Sequence, residues 1–214
     1  DAKLIYFANP DNPMGTHVPG DKIVEALKEL PLGCLLILDE AYSEFAPAAS
    51  LPSLEITDTR VVRLRTFSKA YGMAGARVGY AMAEENLIKS FEKIRNHFGM
   101  NRVAQKAAFE ALSDNQWLLE MVQKVENGRQ RIYKIAASNN LKSITSSTNF
   151  VAIDCGKDGS FAKKVLTELI SLGIFVRMPF VSPQDRCIRI SVGKKKDLDK
   201  FETAFPIALE RASK

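Results

Sequence analysis

Four short apolar runs punctuate the first part of the chain, at Leu4–Ala8 and at residues 35–38, 61–64 and 78–82. Each has the length of a buried strand. Between the first two, Ile23, Val24, Leu27 and Leu30 recur at helical spacing over residues 21–30, so the order strand, helix, strand predicts a right-handed parallel crossover. Helices are expected over residues 84–95 and 102–112, separated by the turn Asn96-His97-Phe98-Gly99. Residues 114–137 carry Trp117, Leu118, Met121, Val125, Ile132 and Ile135 on one face, the pattern of a helix long enough to connect two domains.

Beyond Leu141 the pattern changes. It predicts a strand at Phe150–Asp154, a helix over 161–172, strands at 174–177 and 187–192, and a last helix over 197–211. Asn139-Asn140 suits a left-handed helix cap. The expected fold is therefore α/β. Residues 1–138 form the later part of a large domain with a mainly parallel sheet, connecting helix included, and residues 139–214 form a small α+β C-terminal domain. Asp1 stands where an initiator Met would, so the chain reads as the later part of a longer polypeptide. Leu4–Ala8 is expected to be a sheet-interior strand, covered on both faces.

The 214 residues are 46% hydrophobic and 26% charged, which excludes a disordered or fibrous chain. The net charge is +5, but the one basic run, Lys194-Lys195-Lys196, reads as a solvated loop or helix start, and no basic stripe is interleaved with stacking aromatics, so nucleic acid is not expected. The longest apolar run, residues 34–38, ends in Asp39-Glu40, too short for a membrane span. Cys34, Cys155 and Cys187 make no C-x-x-C pair and no zinc spacing with His17 or His97. No metal is expected, and a reducing, cytoplasmic setting fits.

In parallel α/β sheets ligands bind beyond the carboxyl ends of strands, and three runs end in polar sequence. The first leads into Asn9-Pro10-Asp11-Asn12-Pro13-Met14-Gly15, the second into Asp39-Glu40-Ala41-Tyr42, the third into Thr66-Phe67-Ser68-Lys69-Ala70-Tyr71-Gly72, with Arg77 following. Together they offer a lysine amine for a Schiff base, a carboxylate for a ring nitrogen, hydroxyls and an arginine for a phosphate, and an amide and a phenol for a ring oxygen. Those groups meet the needs of pyridoxal phosphate.

Asn12-Pro13-x-Gly15, Asp39-x-Ala41-Tyr42 and Ser68-Lys69 with Arg77 resemble the fold-type I aminotransferases, and the stretches 66–79 and 187–193 are most similar to the histidinol-phosphate aminotransferase group. The resemblance implies that Lys69 forms the Schiff base and moves the substrate Cα proton, and that Asp39 pairs with the pyridine nitrogen. It implies that Asn12 and Tyr42 contact the ring oxygen, that Thr66, Ser68 and Arg77 hold the phosphate, and that Arg189 forks onto a substrate carboxylate. Arg177 would reach a substrate phosphate or cap its strand, and Asn149 would line the substrate cavity or shape a turn. The implied reaction moves an amino group between an amino acid, glutamate as donor, and a 2-oxo acid or phosphorylated keto substrate, in a homodimer. Met14 departs from the Thr common in that turn, and residues 97–101 depart from the group's sequence. The family's upstream Gly/Ser phosphate loop and stacking aromatic have no counterpart here, so the chain alone is expected to be inactive. The alternatives are a threonine-phosphate-type decarboxylase, a non-catalytic fragment, and a P-loop ATPase, whose G-x-x-x-x-G-K-[ST] signature does not occur.

Overall fold

The computed structural model describes residues 2–214 and divides into two compact units, one of residues 2–10 and 17–122, the other of residues 11–16 and 123–214. The division by contacts falls inside the helix that precedes the Asn139-Asn140 turn.

In the first unit β1 (Leu4–Ala8), β2 (Leu35–Asp39), β3 (Val61–Thr66) and β4 (Gly79–Met82) form one sheet in chain order. The first three strands are parallel and β4 runs antiparallel to β3. Side chains alternate across a strand, so Leu36 and Leu38 share one face, where they pack with Val61 against Ile23 and Leu27 of α1 (Gly20–Lys28). Asp39 points to the opposite face. Among the described residues β1 pairs with β2 and lies at the sheet's edge, and the cover that its apolar run predicts for Leu4 and Tyr6 is not supplied by them, so both are exposed. α2 (Glu85–Phe91) is shorter than its pattern suggests and buries no residue. α3 (Arg102–Ser113) starts where the Asn101 side chain accepts the Ala104 N–H, and buries Ala104 and Ala108 against Phe67 and Val78.

α4 (Asn115–Ser138) ends as the sequence predicts, with Asn140 in left-handed backbone (φ 58°) and Leu141 N–H returning to the Ala136 carbonyl. In the second unit β5 (Lys142–Ser143), β6 (Phe150–Asp154) and β7 (Cys187–Ser191) form an antiparallel sheet with β6 central. Phe150 to Ile153 are buried on both faces, which is why this strand reads as a continuous apolar run rather than an alternating one. Ile132 and Ile135 of α4 enter its core with Val165 of α5 (Gly159–Ser171) and Phe205 of α6 (Lys195–Ala212). The strand expected at 174–177 reduces to a single bridge between Arg177 and Arg189. Phe175, inside that run, is exposed rather than packed into the sheet.

All three cysteines are free and buried, and burial pushes the thiols of Cys155 and Cys187 up to about 12 and about 11. Their thiolates, the reactive form, are therefore scarce near neutrality. Iodoacetamide at pH 8 should leave both unmodified in the native protein and alkylate them in guanidinium. Rapid native alkylation at Cys155 would contradict this packing.

Candidate active site

The first unit collects its polar groups at one edge of its sheet. Asp39 is the last residue of β2, paired in register with Ala8 and Leu64. Its Oδ1 accepts the Ala41 N–H at 2.9 Å and its Oδ2 accepts the Tyr6 hydroxyl. That hydrogen bond, followed by burial and the Asp39 charge, pushes the Tyr6 phenol up to about 12. Tyr42, in the turn after β2, is buried, and the Lys69 ammonium lies 5.4 Å from its ring centroid.

The loop after β3 is pinned by an aromatic anchor. Phe67 is buried, with Tyr71 and Tyr80 rings at centroid distances of 4.9 and 5.6 Å, and its backbone bonds both Val78 and Met73. Phe67 therefore fixes where Ser68 and Lys69 emerge. Thr66 Oγ1 accepts the Ser68 N–H at 3.1 Å, and Gly72 takes the left-handed conformation (φ 68°) that closes the turn. Arg77 sits in left-handed backbone (φ 55°), two residues before Gly79, whose partner in register is Thr66. Its guanidinium is exposed and donates to the Ala74 carbonyl at 2.8 Å. Asp39, Tyr42, Thr66, Ser68, Lys69 and Arg77 thus share the carboxyl-end edge of β2 and β3.

Beneath them Glu40 is 1% exposed and accepts from Arg63 Nε and Nη2 at 3.1 and 2.6 Å and from Arg65 Nε at 3.0 Å. The sequence singled out Asp39 and passed over Glu40 and Tyr6. The arginines at 63 and 65 are the signal: alternation puts both on one face of β3, where a buried carboxylate is needed to pair them.

The second unit gathers the remaining candidates. Residues 11–16 belong to it because Met14 is buried beside Ala152 and Cys187, and the Gly15 carbonyl accepts the Ser147 N–H at 2.7 Å. Gly15 has φ 82°, and a Cβ there would lie 2.5 Å from Ser146 Oγ, so any side chain would be strained and would force Ser146 to shift. This anchorage presents Asn12, whose Oδ1 accepts from the Arg189 guanidinium. Arg189 stacks over the Phe150 ring, 4.6 Å from its centroid, and exchanges backbone hydrogen bonds with Arg177. Asn12, Arg177 and Arg189 line an open cavity of about 620 Å³, walled by Phe175, Met178 and Phe180. Asn149 lies apart from that lining, its carbonyl accepting the Val192 N–H at 2.9 Å. Among the described residues no cluster of His, Cys, Asp and Glu could hold a metal, and no helix is long and apolar enough to cross a membrane.

The family model for class I and II aminotransferases matches residues 1–205. A histidinol-phosphate aminotransferase of Geobacillus sp. (strain WCH70) is 37% identical over 203 residues, covering 93% of this chain and 54% of that protein. A histidinol-phosphate aminotransferase 1 of Bacillus anthracis is 39% identical, with the same coverage of 93% and 54%. The crystal structure of histidinol-phosphate aminotransferase from Sinorhizobium meliloti in complex with pyridoxal-5'-phosphate superposes with a TM-score of 0.95 at 49% identity, over 98% of this chain and 58% of that one. The chain therefore spans somewhat over half the length of the relatives it matches. An L-threonine-O-3-phosphate decarboxylase from Porphyromonas gingivalis, 20% identical with a TM-score of 0.78, shares the fold.

Proposed function

Because the chain belongs to the class I and II aminotransferase family, we propose that the whole protein is a pyridoxal-phosphate-dependent aminotransferase of the histidinol-phosphate aminotransferase kind. It moves an amino group between glutamate and a 2-oxo acid or phosphorylated keto substrate, and works as a cytoplasmic homodimer with a large domain ending near residue 138 and a small domain beyond it. The family match leaves no place for the P-loop reading.

The observation that carries this reading is the edge of β2 and β3, where a carboxylate, a phenol, two hydroxyls, a lysine and an arginine stand together, a donor set that fits the cofactor's ring nitrogen, ring oxygen, phosphate and aldehyde. Bound pyridoxal phosphate supplies an electron sink for the substrate's Cα. Asp39, held by Ala41 N–H, keeps a proton on the ring nitrogen. Tyr42 would donate to the ring oxygen, a role that the family resemblance gives to Asn12 as well. Thr66, Ser68 and Arg77 hold the phosphate, and the Lys69 amine carries the proton to and from Cα. Arg189, with Arg177 beside it, takes the substrate's anionic group, and Asn149 stands behind that role as a shaper of the preceding turn.

The test is a half-reaction. The whole protein with cofactor should show a visible band that bleaches with glutamate and returns with 2-oxoglutarate. Carbon dioxide release instead would favour the decarboxylase, and no band after cofactor addition would overturn the reading. Arg189→Lys should raise the KM for the amino donor about tenfold with a smaller change in kcat, because a point charge cannot replace a two-pronged contact. Steady-state kinetics with glutamate would check it, and an unchanged KM would move the carboxylate site elsewhere.

A further inference from the structure

The register of the first sheet brings a residue outside this donor set onto its central carboxylate. Ala8 pairs with Asp39, so Tyr6, two positions earlier on the same face of β1, lies one strand over and about 7 Å down at the usual rise per residue. A tyrosine side chain spans that distance along the diagonal, and its hydroxyl donates to Asp39 Oδ2. Phe7, pointing the other way, packs against the core beneath α1, whereas Tyr6 is 58% exposed. The phenol therefore contributes little to the interior of this unit, and its hydroxyl is engaged with Asp39. The titratable groups acting on it are Asp39 and Tyr42.

Building on the cofactor assignment above, we propose that Tyr6 is a positioning residue for Asp39. With Ala41 N–H on one oxygen and the Tyr6 hydroxyl on the other, the carboxylate plane is fixed from both sides. Each carboxylate oxygen keeps a second lone pair for a further donor. A ring N–H can take that place without competing for a rotating group. Tyr6 thus acts through Asp39, on recognition of the protonated ring nitrogen alone.

The experiment compares two ligands on the whole apoprotein by equilibrium dialysis: pyridoxal phosphate, and its deaza analogue in which the ring nitrogen is a C–H. Wild type should prefer pyridoxal phosphate. Tyr6→Phe should cut that preference about tenfold, the loss of one hydrogen bond to an ionised group, while leaving the analogue's affinity unchanged. Equal weakening of both ligands would make Tyr6 a packing residue and overturn the proposal, as would an unchanged preference. A wild type that binds both ligands equally would overturn the Asp39 assignment and this proposal with it, whereas a lost Tyr6 effect on a discriminating wild type would overturn the proposal alone. Carbon-13 NMR of ring-labelled tyrosine gives a second readout free of cofactor: the Tyr6 resonance, assigned with Tyr6→Phe, should titrate near 12, and should move toward 10 in Asp39→Asn. Titration near 10 in the wild type would contradict the contact.

Discussion

Lys69→Ala should lower turnover of the whole protein by about ten-thousand-fold, the upper range for removing a positioned acid–base group, with the lost covalent link to the cofactor adding to it. Cofactor should nonetheless remain bound, since Asp39, Tyr42 and Arg77 are untouched and Lys69 is not part of the packing that orders the loop. That packing belongs to Phe67, buried against Val78 and Ala104. Dialysis against buffer followed by a phosphate assay would separate the two effects. Turnover within tenfold of wild type would remove Lys69 from the chemistry, and loss of fold as judged by circular dichroism would mean that the loop depends on it.

Glu40→Ala should destabilise the first unit by about 3–5 kcal/mol, the range for removing one partner of a buried ion pair. Glu40 is 1% exposed and serves two guanidiniums, while the Arg63 and Arg65 side chains are themselves only 20% and 24% exposed. Without the carboxylate both cations would be left half-buried and unmatched. Glu40→Gln keeps the shape and part of the hydrogen bonding, so its loss should be smaller. Urea unfolding of the two variants measures the difference, and a loss under about 1 kcal/mol for Glu40→Ala would show that the pairs are surface-like in strength. Because Glu40 N–H also bonds the Leu64 carbonyl, this site ties the end of β2 to β3 just where Asp39 is presented.

The parts of the molecule legible in the sequence are those governed by local rules. Leu36 and Leu38 alternate with Ile37 and Asp39, and that period alone puts Asp39 opposite the core. Asn140 takes the left-handed cap that its residue type favours. β6 reads as a strand because both its faces are covered. What escaped depends on partners distant in sequence. The run at 174–177 has strand composition, yet among the described residues only Arg177 finds a ladder partner there. The candidate site divides in the same way. Asp39, Tyr42, Ser68 and Lys69 announce themselves as polar residues directly after apolar runs, whereas Tyr6 sits inside one and looks like part of the strand. Its contact with Asp39 needs the parallel register of β1 on β2, which no single segment specifies.

If Lys69 bonds the cofactor, borohydride reduction of the whole protein saturated with pyridoxal phosphate, followed by proteolysis and mass spectrometry, will locate the link. One phosphopyridoxyl adduct per chain is expected, on the Nζ of Lys69. Stoichiometric labelling of another lysine, or none after saturation, would contradict it.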